Sequence, residues 1–527
     1  MNSAPKTLPD NPAALREMVL SLMDEKAVWK DEKVALQNKA DWLLEQLNIL
    51  RKKQFGRSSE KAGFEHPSLF DEAEEEAMSH PEIGDEEDVV EDSVSVSGHT
   101  RKKRGRKSLP EGLPRIEVIH DLPEEEKICA LDGHALVEIG RETSEQIDII
   151  PAQVQVVRDV RLKYACPHCR QGVKLATLPP RPIPKALATA ATLAYVAISK
   201  YADALPLYRQ EGILARAGID LPRATLANWM IKVGTLVQPL INLLRDKLLE
   251  CGIVQMDETT VQVLKEDGKT AASKSYMWVQ RGGPSDKPVI LFDYDPSRSG
   301  KVPIDLLADY KGWLQTDGYA GYLAIGSMAG VEHIGCWAHA RRKFVEAATA
   351  AGKKKKSKAS QAVRLIGKLY AIEKRIRDGD ADHRLEIRQK EVPPILKKIR
   401  EWMSDLAPKV LPSSATGRAL AYLHKQWPLL IRYIEDGRLE IDNNLTENAI
   451  RPFVVGRKNW LFSNSVAGAK SSANLYSLIE TAKANGLEPY AYLRHLFDNI
   501  PAAQTIDDFD ALLPWNSKKK ICAVNPS

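Results

Sequence analysis

The sequence has few cysteines and no long apolar segment. Six cysteines in 527 residues do not suggest a disulfide framework. No run of eighteen or more apolar residues occurs, so no membrane-spanning helix and no membrane partner are expected. The first ten residues, MNSAPKTLPD, lack the apolar centre of a signal peptide. We therefore expect a cytoplasmic protein.

The net charge is also small, but the charges are unevenly distributed. Lysine and arginine exceed aspartate and glutamate by only five. Twelve acidic residues lie between Asp71 and Asp92, and six of the seven residues 101–107 are basic. A segment of this kind buries too little apolar surface to fold alone. Within it, Arg104 and Arg106 flank a glycine, which suits insertion into an A·T-rich minor groove. A solvated linker is the alternative.

Two helical patterns precede the centre of the chain. Leucine or tryptophan recurs every seven positions from Leu15 to Leu50, which predicts a coiled-coil helix; an amphipathic helix packed on its own protein is the alternative. Farther on, a turn at Gly218 separates two helical stretches. This pattern predicts a helix-turn-helix, with Arg223, Thr225 and Asn228 directed towards a DNA groove, although helical domains also contain ordinary helix pairs.

Two aspartates in the central region follow short apolar segments with strand character. Residues 253–256 precede Asp257, and residues 313–316 precede Asp317. We expect both aspartates to lie just past the ends of neighbouring strands in one mixed sheet. Two carboxylates so placed supply the hard oxygen ligands that Mg²⁺ or Mn²⁺ prefers and that phosphodiester chemistry requires. An isolated aspartate at a strand end is, however, more often structural.

A third carboxylate is expected from a helix, and Glu447 is the candidate. It lies in a helical segment that Asp442 or Asn443 can cap, and Arg451 follows one turn later on the same face. The basic side chains around these carboxylates are candidates for phosphate contacts. They are Arg341, Arg342, Arg451, Arg457 and Lys458. For Arg341 and Arg342, an ordinary solvated helix face is the alternative.

Two cysteine motifs suggest metal chemistry to different degrees. Cys166 and Cys169 have the spacing of a zinc knuckle, and Cys129 with His134 or Asp132 can complete four ligands; a vestigial module held by its strands is the alternative. Residues 154–157 are among the strands expected around this module. Cys336 and His339 could form a metal-binding or nucleophile pair, but the motif ends a strand and starts a helix, so we expect Cys336 and Trp337 to lie in the core and His339 to lie beside the site.

Several long motifs resemble those of the insertion sequence 66 transposase family. They are VQMDETT (254–260), TDGYAGY (316–322), HIGCWAHARRKF (333–344), DNNLTENAIRP (442–452) and GRKNWLF (456–462). The resemblance covers nearly the whole chain. It implies a bacterial DDE transposase in which Asp257, Asp317 and Glu447 hold two Mg²⁺ (or Mn²⁺) ions and catalyse cleavage and strand transfer of insertion-sequence ends. Many relatives carry a second C-x-x-C pair, where this chain has Asp132.

The resemblance further implies DNA partners and accessory proteins. The DNA partners are the terminal inverted repeats of the element and its target, and the accessory proteins are TnpA and TnpB of the same element. A homo-oligomer is expected, because two element ends must be held together. The alternative functions are an RNase H-like nuclease without strand transfer and a transposase-derived DNA-binding regulator.

The expected fold is multidomain, α/β plus α, with an RNase H-like mixed sheet interrupted by a helical insertion. The expected parts are an N-terminal coiled-coil helix (11–60), a disordered acidic and basic linker (65–112), a zinc-finger-like, DNA-binding β module (115–178), a helical helix-turn-helix-like domain (185–250), the first part of the catalytic core (251–345), the insertion (346–440), the second part of the core with Glu447 (441–485) and a C-terminal helical element (486–520).

Overall fold

The computed structural model describes residues 11–55, 115, 117, 154–164, 174–350 and 357–524. The expected linker and the predicted ligands and DNA contacts Arg104, Arg106, Cys129, His134, Cys166 and Cys169 lie outside these residues. The described chain contains two compact units. The larger one includes Pro180–Gly212, Leu221–Lys518 and the N-terminal helix. The smaller one includes Ile213–Asp220 and a short β-hairpin.

The N-terminal part contains one long helix. Helix α1 runs from Pro12 to Phe55, and its apolar residues Leu22, Trp29, Leu36 and Leu43 are exposed. Strands β1 (Lys163–Tyr164) and β2 (Lys174–Leu175) form the antiparallel hairpin of the smaller unit. A strand was expected at residues 154–157, but these residues are exposed and pair with no other residue that the structure describes.

Four helices occupy the region before the sheet. They are α2 (Ala190–Tyr201), α3 (Leu207–Arg216), α4 (Arg223–Leu236) and α5 (Gln238–Leu249). The turn between α3 and α4 contains Gly218 at φ +81°, a conformation that glycine adopts without steric cost. Glu211 of α3 accepts a hydrogen bond from the backbone N–H of Arg223, which satisfies a free donor in the first turn of α4.

A six-stranded mixed sheet forms the centre of the larger unit, as the strand patterns predicted. The strands are β3 (Ile253–Lys265), β4 (Lys274–Gly282), β5 (Val289–Asp295), β6 (Gly312–Gln315), β7 (Val331–Ile334) and β8 (Ser463–Ser465). Five of them have the order β5-β4-β3-β6-β7. The pairs β3–β4 and β4–β5 are antiparallel, whereas β6 is parallel to both β3 and β7, and β8 adds in parallel to the far end of β3.

Helices cover the sheet, and along the chain they lie between its strands. Helix α6 (Lys301–Leu306) precedes β6, and α7 (Trp337–Ala350) follows β7. Helices α8 (Lys358–Ile376), α9 (Ala381–Leu406) and α10 (Ala415–Leu430) form an all-helical layer whose apolar core is shared with α7. Helix α11 (Asn444–Trp460) then returns the chain to the sheet.

The C-terminal part begins with a helix that protects the edge strand β5. In α12 (Val466–Ala484), the hydroxyls of Ser477 and Thr481 accept hydrogen bonds from the backbone N–H groups of Phe292 and Ile290 at 2.8 and 3.0 Å. These bonds use donors that an exposed edge would offer to another chain. Helices α13 (Pro489–Asn499), α14 (Ile506–Asp510) and α15 (Pro514–Val524) complete the chain. Among the described residues, no helix combines the length and apolarity needed to cross a membrane.

Candidate functional site

The three predicted carboxylates come from β3, from the segment after β6 and from the start of α11. Asp317 is the second residue past the end of β6, as expected. Asp257 does not lie past a strand: it is inside β3, directly opposite Val279 of β4. The strand continues because residues 258–262 keep pairing with β4, so the strand end expected before Asp257 does not occur. Glu447 lies in the first turn of α11.

The three side chains influence one another electrostatically. Burial raises the pKa of Asp257 well above its ordinary value, and the negative charges of Glu258, Asp317 and Glu447 raise it further. Burial also raises the pKa of Asp317 and that of Glu447. Carboxylates that are both buried and close to like charges are costly to ionise, and a bound cation removes this cost. The donor set therefore fits a hard divalent cation.

Helix α7 supplies the immediate neighbours of Glu447. The Arg342 guanidinium donates to Oε2 of Glu447 at 2.9 Å, and Nδ1 of His339 lies 3.4 Å from Oε1. Burial, with the charges of Arg342 and Lys343, lowers the pKa of His339 to about 3, so the ring is neutral at physiological pH. Glu447 itself is only 4% exposed. The bond from Arg342 therefore orients Glu447, and His339 lies beside its second carboxylate oxygen without a hydrogen bond to it.

The core position expected for Cys336 is confirmed, and His339 lies next to the predicted ligand Glu447. Cys336 is buried at the end of the strand segment, and His339 lies beside the site. Atoms of Cys336, His339 and Glu447 that can ligate a metal all lie within 4.8 Å of one another. Burial raises the pKa of the Cys336 thiol well above its usual range, which favours the neutral thiol over a thiolate ligand.

A second buried acidic residue beside Asp257 was not anticipated from the sequence. Glu258 accepts hydrogen bonds from Arg298, with Nε at 2.8 Å, and from the hydroxyl of Tyr322. The Arg298 guanidinium lies 3.8 Å from the ring centre of Tyr319, which follows Asp317 by two residues. Glu258 thereby ties β3 to the segment that carries Asp317. Its only sequence signal is its position directly after Asp257.

The entry to α11 is stabilised by Asp442. Its Oδ1 accepts a hydrogen bond from the backbone N–H of Asn444 at 3.1 Å, and its Oδ2 accepts one from the hydroxyl of Tyr370 at 2.8 Å. Asn443 occupies the N-cap position but makes no side-chain capping bond. Asp442 therefore performs the capping that either residue was expected to provide. Burial raises the pKa of Asp442 to about 7.

The predicted DNA-contacting residues that the structure describes differ in their exposure to solvent. Arg223, Asn228 and Lys458 are exposed, while Arg342 and Arg451 are half-buried near Glu447. Arg341 is only 5% exposed, so the solvated face considered as its alternative is wrong, and its burial also disfavours the phosphate contact expected of it. It is the residue after Ala340 on the buried face of α7.

Arg457 also differs from the expectation of a side chain free for phosphate. Its guanidinium donates to the hydroxyls of Thr259 and Thr260 at 3.0 and 2.9 Å, and to the carbonyl of Thr260. These bonds connect the last turns of α11 to β3, immediately beyond Asp257 and Glu258. Arg457 is therefore assigned to holding the helix on the sheet.

Profiles of known families match four parts of the chain. "Transposase IS66 family" matches residues 185–471 and "IS66 C-terminal element" matches residues 477–515. "Transposase C of IS166 homeodomain" matches residues 42–118, and "zinc-finger binding domain of transposase IS66" matches residues 126–170. These matches place the protein among the transposases, a class of enzymes that bind and modify DNA. The chain belongs to the IS66 transposase family, since the first match alone covers more than half of it.

Similar proteins occur in Sinorhizobium fredii. The uncharacterized protein y4jD is 35% identical over 437 residues, covering 80% of this chain and 84% of the relative. The uncharacterized protein y4qI is 32% identical over 543 residues, covering 97% and 98%. A third, y4hP, is 28% identical over 495 residues. Because all three are described as uncharacterized, they support family membership and not a particular catalytic role.

Proposed function

We propose that this protein is a DDE transposase that cleaves insertion-sequence ends and joins them to target DNA, using Asp257, Asp317 and Glu447. The observation that carries the proposal is that one buried and two half-buried carboxylates from distant parts of the sequence come close enough together for the charges of Asp317 and Glu447 to raise the pKa of Asp257. The strand order, with β3 to β5 antiparallel and β6 and β7 parallel to β3, supports an RNase H-like arrangement.

The roles of the chain's own residues follow from this arrangement. Asp257, Asp317 and Glu447 would hold two Mg²⁺ (or Mn²⁺) ions, which supply activation of a water or 3′-hydroxyl and stabilisation of the leaving oxygen. Arg342 orients Glu447, and Arg298 with Glu258 orients the segment after Asp317. Arg451 lies close enough to lower the pKa of Glu447 and is suited to meet a phosphate. The exposed Arg223 and Asn228 of α4 are suited to contact DNA farther from the reacting bond.

The test is a cleavage and joining assay with the full-length protein and duplex DNA carrying the element's terminal inverted repeats. With Mg²⁺ or Mn²⁺ we expect cleavage that exposes a 3′-hydroxyl, followed by joining of that end to a target duplex; chelation should abolish both. The reaction is run with and without TnpA and TnpB, the proposed accessory proteins. Cleavage without joining in either condition would instead identify a nuclease, and DNA binding without cleavage would identify a regulator.

We further propose a homo-oligomer that pairs through α1. The support is the row of exposed apolar side chains at seven-residue spacing, Leu22, Trp29, Leu36 and Leu43, which resembles a coiled-coil seam. Removal of residues 1–55 is expected to convert a dimer, or a larger assembly, into a monomer or a smaller assembly in multi-angle light scattering. Asp24→Lys, which changes an exposed charge on the side of the helix opposite this row of apolar residues, is the control. An unchanged molar mass per particle after the deletion would contradict the role of α1.

Zinc is proposed for the segment that the zinc-finger profile matches. Cys129, Cys166 and Cys169 with His134, or with Asp132, would provide a four-ligand set of the structural type. One zinc per chain is expected by elemental analysis of the purified protein, and loss of that zinc is expected on Cys166→Ser. Stoichiometric absence from the unmodified protein would remove this proposal.

A further inference from the structure

Two buried glutamines connect the two strands and the helix that position the three proposed metal ligands. Gln255 of β3 and Gln315 of β6 are direct partners in the parallel ladder, and each precedes its aspartate, Asp257 or Asp317, by two residues. Within a strand, residues two apart share a face, so Gln255 and Asp257 lie on the same side of β3. The glutamines are 3% and 0% exposed.

The amide groups of these glutamines are bonded to each other and to the entry of α11. Nε2 of Gln255 donates to Oε1 of Gln315 at 2.7 Å and to the carbonyl of Asp442 at 3.2 Å. Nε2 of Gln315 donates to the carbonyls of Glu440 and Gly335 at 2.8 and 3.3 Å. Because backbone carbonyls only accept hydrogen bonds, they fix which end of each amide carries the nitrogen.

Thr446 completes the connection to the third carboxylate. Its hydroxyl donates to Oε1 of Gln255 at 2.9 Å, and it immediately precedes Glu447 in the first turn of α11. Thr446 is fully buried. One continuous set of hydrogen bonds therefore joins β3, β6 and α11 at positions one or two residues before each proposed ligand.

We propose that Gln255, Gln315 and Thr446 are positioning residues that set the separation of Asp257, Asp317 and Glu447 and thereby the affinity of the site for divalent cations. This inference rests on the proposed function of the three carboxylates. Its physical basis is that like charges repel, so an unliganded site relaxes apart unless other bonds hold its strands and helix in place. The satisfied amide pair does this without adding charge.

The test compares Mn²⁺ binding to full-length variants by electron paramagnetic resonance. Thr446→Val keeps the shape of the side chain but removes the hydroxyl, and we expect it to raise the half-saturating Mn²⁺ concentration by about tenfold, the low end for residues that support metal ligands. Thr446→Ser keeps the hydroxyl and is expected to restore binding to near that of the unmodified protein. Gln315→Met, if Thr446→Val does not fold, is expected to show the same weakening.

The matched control is Thr481→Val in α12. Thr481 is equally buried, and its hydroxyl is also hydrogen-bonded to a neighbouring element, but its two bonds join α12 to Ile290 of β5. We expect this variant to lower the melting temperature without changing Mn²⁺ binding. Equal weakening in Thr446→Val and Thr481→Val would overturn the inference, as would unchanged binding in Thr446→Val. Absence of Mn²⁺ binding by the unmodified protein would instead overturn the proposed metal site, and the inference with it.

Discussion

Glu447→Gln is expected to reduce metal-dependent DNA cleavage by about a thousandfold or more, because loss of a metal ligand removes several kcal/mol of transition-state stabilisation. The carboxamide keeps the size of the side chain and still offers an oxygen to Arg342, so the fold should persist. It cannot supply the negative charge that a hard divalent cation requires. Cleavage is measured on terminal-repeat DNA at saturating protein, and Mn²⁺ binding is measured on the same preparation.

Glu440→Gln is the matched control for this substitution. Glu440 lies seven residues earlier, and its partly exposed side chain contacts only Arg384 among the bonds that the structure describes, at 3.2 Å. The bond from Gln315 is to its backbone carbonyl, which the substitution leaves in place. Near-normal cleavage is therefore expected. Undiminished cleavage by Glu447→Gln would show that the third catalytic ligand is a different residue.

Arg388→Ala is expected to destabilise the helical layer by about 3–5 kcal/mol, the usual cost of leaving one partner of a buried ion pair alone. Arg388 is 0% exposed and binds both carboxylate oxygens of Glu373, at 2.8 and 2.6 Å. It also donates to the carbonyls of Tyr433, Asp436 and Gly437. The substitution thus leaves one carboxylate and three carbonyls without their buried donor.

Urea unfolding followed by tryptophan fluorescence measures this loss, since Trp402 and Trp427 lie in the same helical layer. The control is Arg375→Ala, which breaks an exposed pair with Glu391 in the same helices and is expected to change the free energy of unfolding by no more than about 0.5 kcal/mol. Arg388→Met with Glu373→Leu removes both charges and should be less destabilising than Arg388→Ala. If Arg388→Ala and Arg375→Ala lower the free energy of unfolding by the same small amount, the buried pair does not stabilise this layer.

The sheet was largely predictable from the sequence because its central strands contain runs of apolar residues. Residues such as Met277, Trp278 and Val279 are all buried, as a strand covered on both faces requires. Strand β8 was not predicted, since Ser463–Ser465 has neither apolar character nor alternation. It forms because the chain between α11 and α12 passes alongside β3, a tertiary constraint with no local signal.

The residues of the candidate site differ in how well the sequence predicted their positions. Asp317 follows its strand as the local pattern indicates, whereas Asp257 lies inside a strand that long-range pairing extends. Glu447 was selected mainly by its motif and the family resemblance, since a helical insertion separates it from the sheet. Its role as a ligand, like those of the two aspartates, stays a prediction. Basic residues were the least predictable, because burial of Arg341 depends on which face of α7 meets the core.

Just before α11, the side-chain amides of Gln255 and Gln315 donate hydrogen bonds to main-chain oxygens, those of Asp442 and Glu440 respectively. Main-chain oxygens survive a change of side chain but move when the chain is lengthened or shortened. A library covering residues 440–447 should therefore tolerate most replacements at Glu440 yet reject single-codon deletions and insertions throughout the segment. In this segment, selection should therefore preserve the number of residues between the helical layer and the third carboxylate at least as strictly as it preserves which residues they are.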